Sequence, residues 1–171
     1  MQSSMDRQAV WTNWAGNQRF EPNRTMSAES EADVIRAVEL ARGRNLGVRT
    51  FGSGHSFTPI VETDGILLDT SGLKGVLSID VDRQNVTAWS HTTIAELGEP
   101  LWQVGLAVRN QGDIDSQTIA GAVATSTHGS GLNFGSFSAG LVACRLVDRP
   151  HTLRPHSLSP GGLTAPTIPV P

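Results

Sequence analysis

The sequence predicts an α+β fold: a small α/β subdomain followed by a mixed, largely antiparallel β subdomain with helices. Two observations carry this. Between residues 30 and 69 a helical pattern alternates with short apolar runs, the signature of strand–helix–strand units. From Val76 onward two apolar runs are separated only by a short polar segment, which allows an antiparallel hairpin and leaves no room for a crossover helix.

Ser30-Glu-Ala-Asp33 has the form of a capping box, and Val34, Ile35, Val38 and Ala41 follow at helical spacing until Gly43, Asn45 and Gly47 end the pattern. A strand is expected over Val48 to Phe51 and a second apolar run over Ile66 to Asp69. Ser71-Gly-Leu-Lys-Gly75 is a turn that leads into Val76 to Val81. The polar Asp82-Arg-Gln-Asn85 then joins that run to Val86 to Trp89 as a hairpin. Thr93-Ile-Ala-Glu96 is a better capping box, with Ile94, Leu97, Leu101 and Val104 along one helix face and a further strand expected at Leu106 to Val108. Asn110 to Phe137 is rich in Ser, Thr and Gly. The small-residue run Thr118 to Ala124 interrupts it, a composition that permits close backbone approach to a ligand.

The chain has 171 residues, 38% of them hydrophobic, enough for one domain with a core. A formal charge of −3 gives no electrostatic reason to expect nucleic acid or an acidic membrane, so a small-molecule site is the default expectation. Cys144 is the only cysteine and lies in the apolar run Leu141 to Val147, read as a buried strand; no intrachain disulfide is possible and a reduced, cytoplasmic setting fits. The start of the chain lacks the apolar stretch of a secretory signal, and no window reaches the ~18 apolar residues of a membrane span. From Pro150 to Pro171 there are six prolines in 22 positions, no aromatic residue and no acidic residue. Residues 149–171 therefore read as a disordered tail behind a domain of residues 11–148.

Gly52-Ser-Gly-His-Ser-Phe57 follows a strand, yet it is no dinucleotide fingerprint: Phe57 replaces the third glycine and no periodic helix follows. The Lys and Ser or Thr of a phosphate-binding P-loop are also missing. What the residues allow is a short loop whose backbone N–H groups converge as an anion nest, with Ser53 and Ser56 as hydroxyl donors. Thr125-Ser-Thr-His-Gly-Ser-Gly-Leu-Asn-Phe134 repeats the chemistry: glycines, a histidine, small hydroxyls and a phenylalanine. Two such loops suit the two ends of a diphosphate-bridged cofactor. The histidines and Cys144 never cluster at metal-ligand spacing, so no metal site is expected, and His91 has no acidic or cysteine partner at such spacing.

Together with Thr12-Asn-Trp-Ala-Gly-Asn17, Asn110-Gln-Gly-Asp-Ile-Asp115, Gln117-Thr-Ile-Ala-Gly-Ala122 and Thr127-His-Gly-Ser-Gly131, these motifs closely resemble the PCMH-type FAD-binding domain of the vanillyl-alcohol-oxidase flavoprotein superfamily. Within it, the chain resembles the bacterial sugar-1,4-lactone and alditol oxidases from about Trp11 to Val147. The resemblance implies FAD as cofactor, attached covalently through His55 at the 8α carbon of the flavin, a carbon electrophilic enough for a neutral imidazole nitrogen. It implies that Thr50, Phe51, Gly52, Ser53, Gly54, His55 and Ser56 wrap the pyrophosphate. Asp113, Thr118, Gly121, Thr125, Ser126, Thr127 and His128 are implied as the second set of contacts. Asp113 is placed near ribityl or ribose hydroxyls or as a loop cap, because a carboxylate beside a diphosphate is repelled.

The activity implied is that of an FAD-dependent oxidase acting on CH–OH groups of sugar lactones such as D-arabinono-1,4-lactone, with dioxygen as acceptor. An alditol (xylitol or sorbitol) oxidase is the alternative. Two departures stand out: Ser90-His91 where relatives carry a small Ala-Gly pair, and Ser126 where many carry glycine. The family's substrate-binding residues lie in a later domain, and the resemblance stops near Val147. The chain is thus expected to be truncated at its C-terminal end, with the last strands of the fold and all catalytic residues missing, which adds a third reading: a flavin-binding fragment without turnover.

Overall fold

The computed structural model describes residues 10–147, together with the backbone of strands Leu153–Ser157 and Thr167–Pro169. Two compact units are present, divided between Leu73 and Lys74.

In the first unit, β1 (Trp11–Thr12) and β2 (Arg19–Phe20) form a small antiparallel hairpin. β3 (Arg24–Ser27), α1 (Glu31–Gly43), β4 (Val48–Phe51) and β5 (Ile66–Asp69) follow, and the three strands make a parallel sheet in the order β3-β5-β4. The central strand carries three consecutive aliphatic residues, Ile66, Leu67 and Leu68, all buried, as a strand covered on both faces requires. α1 begins as the capping pattern indicates, with Ser30 Oγ accepting from the Asp33 N–H. Its buried stripe, however, is Asp33, Ala37 and Ala41. The larger Val34, Ile35 and Val38 are only half-buried, so the helix is turned from the expected face and sits on its small residues.

In the second unit, β6 (Val76–Asp80) and β7 (Asn85–Ala88) are the expected hairpin, with a bulge between Val76 and Ser78. α2 (Ile94–Trp102) carries the full capping box of Thr93 and Glu96 and buries Ile94, Leu97 and Leu101. Val104 lies beyond the helix and is exposed. Leu106 to Val108, expected as a strand, is irregular. α2 instead ends with the Leu106 N–H donating to the Leu101 carbonyl at 2.9 Å around Gly105 at φ +74°, which turns the chain and buries Leu106 in the core. α3 (Ile119–Ala124) is a short helix formed by the small-residue run, and Phe137–Gly140 is a single 3-10 turn. The core joins Val86, Ala88, Ile94, Leu97, Leu101, Leu106, Ile119, Ala122 and Phe137.

β8 (Ala143–Val147) contains Cys144, which is half-buried rather than buried. The segment expected as a disordered tail contributes β9 (Leu153–Ser157) and β10 (Thr167–Pro169), in a sheet ordered β6-β7-β10-β8-β9. Backbone pairing needs no side-chain periodicity, which is why composition alone missed these strands. The Pro155 opposite Arg145 lies on the edge strand, where a missing N–H is tolerated. The other residues of 148–171 lie outside the described residues. No helix among the described residues is long and apolar enough to cross a membrane.

Candidate functional site

β4 runs out into Gly52-Ser53-Gly54-His55-Ser56, and what shapes this loop is the hairpin that precedes the sheet. The buried Asn13 is its hub: its Nδ2 donates to the Asn17 Oδ1 at 2.7 Å and to the Ser56 carbonyl at 3.0 Å, while its Oδ1 accepts from the Gln18 N–H at 3.0 Å. Further bonds run from the Trp14 N–H to the Gly54 carbonyl at 3.0 Å and from Asn17 Nδ2 and Gln18 Nε2 to the Phe57 carbonyl at 3.1 and 2.9 Å. These four bonds from hairpin to loop end on the carbonyl oxygens of Gly54, Ser56 and Phe57.

Gly54 has a φ of +68°, and a Cβ there would stand 3.3 Å from Trp11 Cζ2 and 3.6 Å from both Asn13 Cα and Trp14 N. The turn therefore needs glycine for conformation and for space. Trp11 is the floor beneath it, packed against Phe20 at 5.2 Å and edge-on against Phe51 at 6.0 Å between ring centroids. Phe51 thus serves the floor, and Thr50 is exposed on β4. The ring of His55 stacks on Trp14 at 4.9 Å with 27° between planes, and Phe57 meets the same indole edge-on at 6.5 Å. The Ser56 hydroxyl is engaged locally with Thr58, whose Oγ1 lies at 2.9 Å and whose N–H donates to Ser56 Oγ at 3.3 Å.

The second group of predicted residues lies in the other unit. Thr118 is buried and caps α3, its Oγ1 accepting from the Gly121 N–H at 3.3 Å. The Ile119 and Ala120 N–H groups donate to the carbonyls of Thr92 and Ser90, so the first-turn donors of this helix are engaged within the protein. Thr118 and Gly121, expected from the sequence to face a cofactor, are bonded to each other at the start of α3. Ser90-His91 occupies the turn that offers one of these carbonyls, closed by the Thr92 N–H donating to Trp89 at 3.0 Å.

Beyond α3, Thr125 Oγ1 donates to the Gly121 carbonyl at 2.8 Å and lies 3.3 Å from Thr127 Oγ1. Ser126 adopts φ +53°, the left-handed conformation that favours glycine. Its N–H and that of Thr127 bond back to Val123 and Ala122, closing the helix as a Schellman motif. His128 is exposed, with Nδ1 3.0 Å from the Gly129 carbonyl. A Cβ on Gly129 would stand 2.4 Å from both Asn110 Oδ1 and the Gln111 carbonyl, so the segments around 110 and 129 pack backbone to backbone. Asp113 is exposed near this junction. An open cleft of about 250 Å³ adjoins it, lined in part by Val108, Arg109, Asn110 and Phe134, with the Arg109 guanidinium 5.7 Å from the Phe134 ring centre.

Two carboxyl groups are held below their usual range, and both serve helix caps. Asp33 is lowered by the Ser30 hydroxyl first, and by the Glu29 N–H and the Arg36 guanidinium, against the opposing effect of burial. Glu96 is lowered chiefly by the Thr93 N–H. Burial pushes the Cys144 thiol up, which makes it a poor nucleophile. Sequence reading passed over Trp11, Asn13, Trp14 and Gln18 as site-builders, although Thr12 to Asn17 was one of the motifs behind the resemblance.

Residues 22–152 match the family model described as FAD binding domain. Over 138 residues the chain is 43% identical to an L-gulono-1,4-lactone dehydrogenase of Mycobacterium tuberculosis, covering 81% of this chain and 32% of that protein. It is 33% identical over 150 residues to a D-arabinono-1,4-lactone oxidase of Eremothecium gossypii, covering 85% of this chain and 28% of that one. The chain thus spans about a third of the length of the curated relatives it matches. Among solved structures, cholesterol oxidase from B. sterolicum superposes with a TM-score of 0.80 at 20% identity, over 89% of this chain and 32% of that one, a likeness of fold.

Proposed function

Because the chain belongs to the FAD-binding domain family, we propose that it holds FAD for an oxidoreductase that acts on the CH–OH group of an aldono-1,4-lactone of the L-gulono or D-arabinono kind. The single observation that carries the cofactor half of this reading is the Gly52–Ser56 loop: its carbonyls are drawn to the Asn13 hairpin and its backbone is tight enough to require Gly54. A loop held in this way supports a diphosphate, whose oxygens take backbone N–H donors. The names of the 43% and 33% identical relatives carry the substrate half, and favour a lactone over a polyol.

Bound flavin supplies a two-electron acceptor for the carbon-bound hydrogen of the substrate. Thr50 to Ser56 are assigned to one part of the cofactor, with His55 as the covalent anchor. Asp113, Thr125, Ser126, Thr127 and His128 are assigned to another, with Thr118 and Gly121 holding the shape of their loop. Dioxygen is the electron acceptor in this reading. The dehydrogenase name of the 43% identical relative supports a different acceptor as the second reading. The lone Cys144 and the charge of −3 support a cytoplasmic protein without a nucleic-acid partner.

The test is anaerobic. Protein saturated with FAD is mixed with L-gulono-1,4-lactone, D-arabinono-1,4-lactone or xylitol and the visible flavin band is followed, then air is admitted and peroxide measured. Bleaching by a lactone followed by peroxide is expected, whereas FAD binding without bleaching by any of the three overturns the activity and leaves a flavin-binding fragment without turnover. Failure to bind FAD overturns the whole reading, bleaching by xylitol alone overturns the lactone, and bleaching without peroxide in air overturns dioxygen.

A further inference from the structure

We propose that Trp14 is a positioning residue for flavin attachment at His55, its indole fixing the imidazole plane so that a ring nitrogen meets the cofactor edge-on. The proposal rests on the reading of His55 as the anchor and adds a residue to it. Trp14 is 67% exposed, so the hydrophobic core does not explain a tryptophan at this place. What the side chain does touch is the His55 ring, at 4.9 Å and 27°. Its own placement is fixed from two sides: the Trp14 N–H donates to the Gly54 carbonyl, one residue before His55, and the neighbouring Asn13 holds the Ser56 carbonyl, one residue after it. Phe57 meets the same indole edge-on at 6.5 Å between ring centroids. The histidine is thereby bracketed along the chain, and one face of its ring is covered.

The stack covers one face of the imidazole and sets the plane of the ring, and both nitrogens lie in that plane. Bond formation needs the nitrogen lone pair, which lies in the ring plane, aimed at the accepting carbon. Holding the plane therefore acts on the rate of attachment rather than on the affinity for FAD. In the step itself the His55 nitrogen loses its proton and bonds to the flavin 8α carbon, which loses one hydrogen. The two protons and two electrons so released remain on the flavin ring system as its two-electron-reduced form, and dissolved dioxygen takes them up as hydrogen peroxide.

The full chain is prepared free of flavin as wild type, Trp14→Phe, Trp14→Leu and His55→Ala. FAD is added in air, acid-stable flavin is followed over time, and the affinity for FAD is measured separately. The expected result is acid-stable flavin in the wild type and none in His55→Ala. Trp14→Leu should attach at least about tenfold more slowly at saturating FAD, with affinity unchanged, and Trp14→Phe, which keeps an aromatic face, should recover most of the rate. In the flavin-free protein the His55 ring protons should carry an upfield ring-current shift that Trp14→Leu abolishes. Attachment in Trp14→Leu at the wild-type rate, or a loss confined to FAD affinity, overturns the role of Trp14 and leaves the anchor standing. Wild-type protein without acid-stable flavin overturns the anchor and this proposal with it, and an intact ring-current shift in Trp14→Leu contradicts the stack and so overturns the role of Trp14.

Discussion

The Ile119 N–H donates to the Thr92 carbonyl at 2.8 Å, and in the reverse direction the Ile94 N–H donates to the Gln117 carbonyl at 3.0 Å. The starts of α2 and α3 therefore cap one another through the backbone. Donors that a glycine-rich helix start would otherwise present to an anion are engaged.

Thr118→Ala should cost about 1 kcal/mol of stability, the usual worth of a helix cap, and leave the FAD affinity of the folded protein unchanged. Thermal melts and flavin-fluorescence titration measure the two separately. Lost affinity at unchanged melting temperature would restore Thr118 to the cofactor.

Asn13→Ala removes a buried amide that serves Asn17, Gln18 and the Ser56 carbonyl. Leaving those groups unpaired costs about 1–3 kcal/mol, so the melting temperature should fall. FAD affinity should fall as well, because the loop loses its hold. A variant that melts normally and still binds FAD would show that the hairpin does not shape the loop.

Ser126→Gly should stabilise the chain by about 0.5–1 kcal/mol, since Ser126 sits at φ +53° at the end of α3 where glycine has no Cβ conflict. A rise in melting temperature checks it, and a fall would mean that the Ser126 hydroxyl, 3.5 Å from Ser138 Oγ, outweighs the backbone term.

Acid should weaken both helix starts. Asp33 and Glu96 are held below their ordinary values of 3.8 and 4.5 in the folded chain. A carboxyl with a depressed folded value stabilises above its unfolded value, and that stability is lost as the pH falls through the folded one. Below about pH 4.5 the melting temperature should therefore drop more steeply in the wild type than in Asp33→Asn or Glu96→Gln. Parallel acid limbs in all three would show that these caps do not carry the dependence.

Elements whose signals are local were legible in the sequence. The Ser30 and Thr93 caps, the Ile66-Leu67-Leu68 run of β5 and the β6–β7 hairpin each announce themselves within a few residues, and each is where the pattern puts it. The strands β1, β2 and β3 went unread because two- and four-residue segments carry too little periodicity, and β3 is defined by its parallel pairing with the distant β5. The face of α1 was misread because a helix over a sheet prefers Ala37 and Ala41 where it must come close, whereas hydrophobicity alone favours the bulkier valines and isoleucine. For the site, glycine and hydroxyl residues marked the loops. Which hydroxyls face outward depended on partners such as Gly121 and Thr58, which no spacing rule reveals.

The central claim is that this chain binds FAD and anchors it at His55. Wild type and His55→Ala are each incubated with FAD, denatured in acid and weighed by intact-mass spectrometry. The account predicts wild-type protein heavier by one flavin adenine dinucleotide, with the added mass on the peptide containing His55, and no added mass on His55→Ala. Unmodified wild-type protein, or equal modification of both, would contradict it.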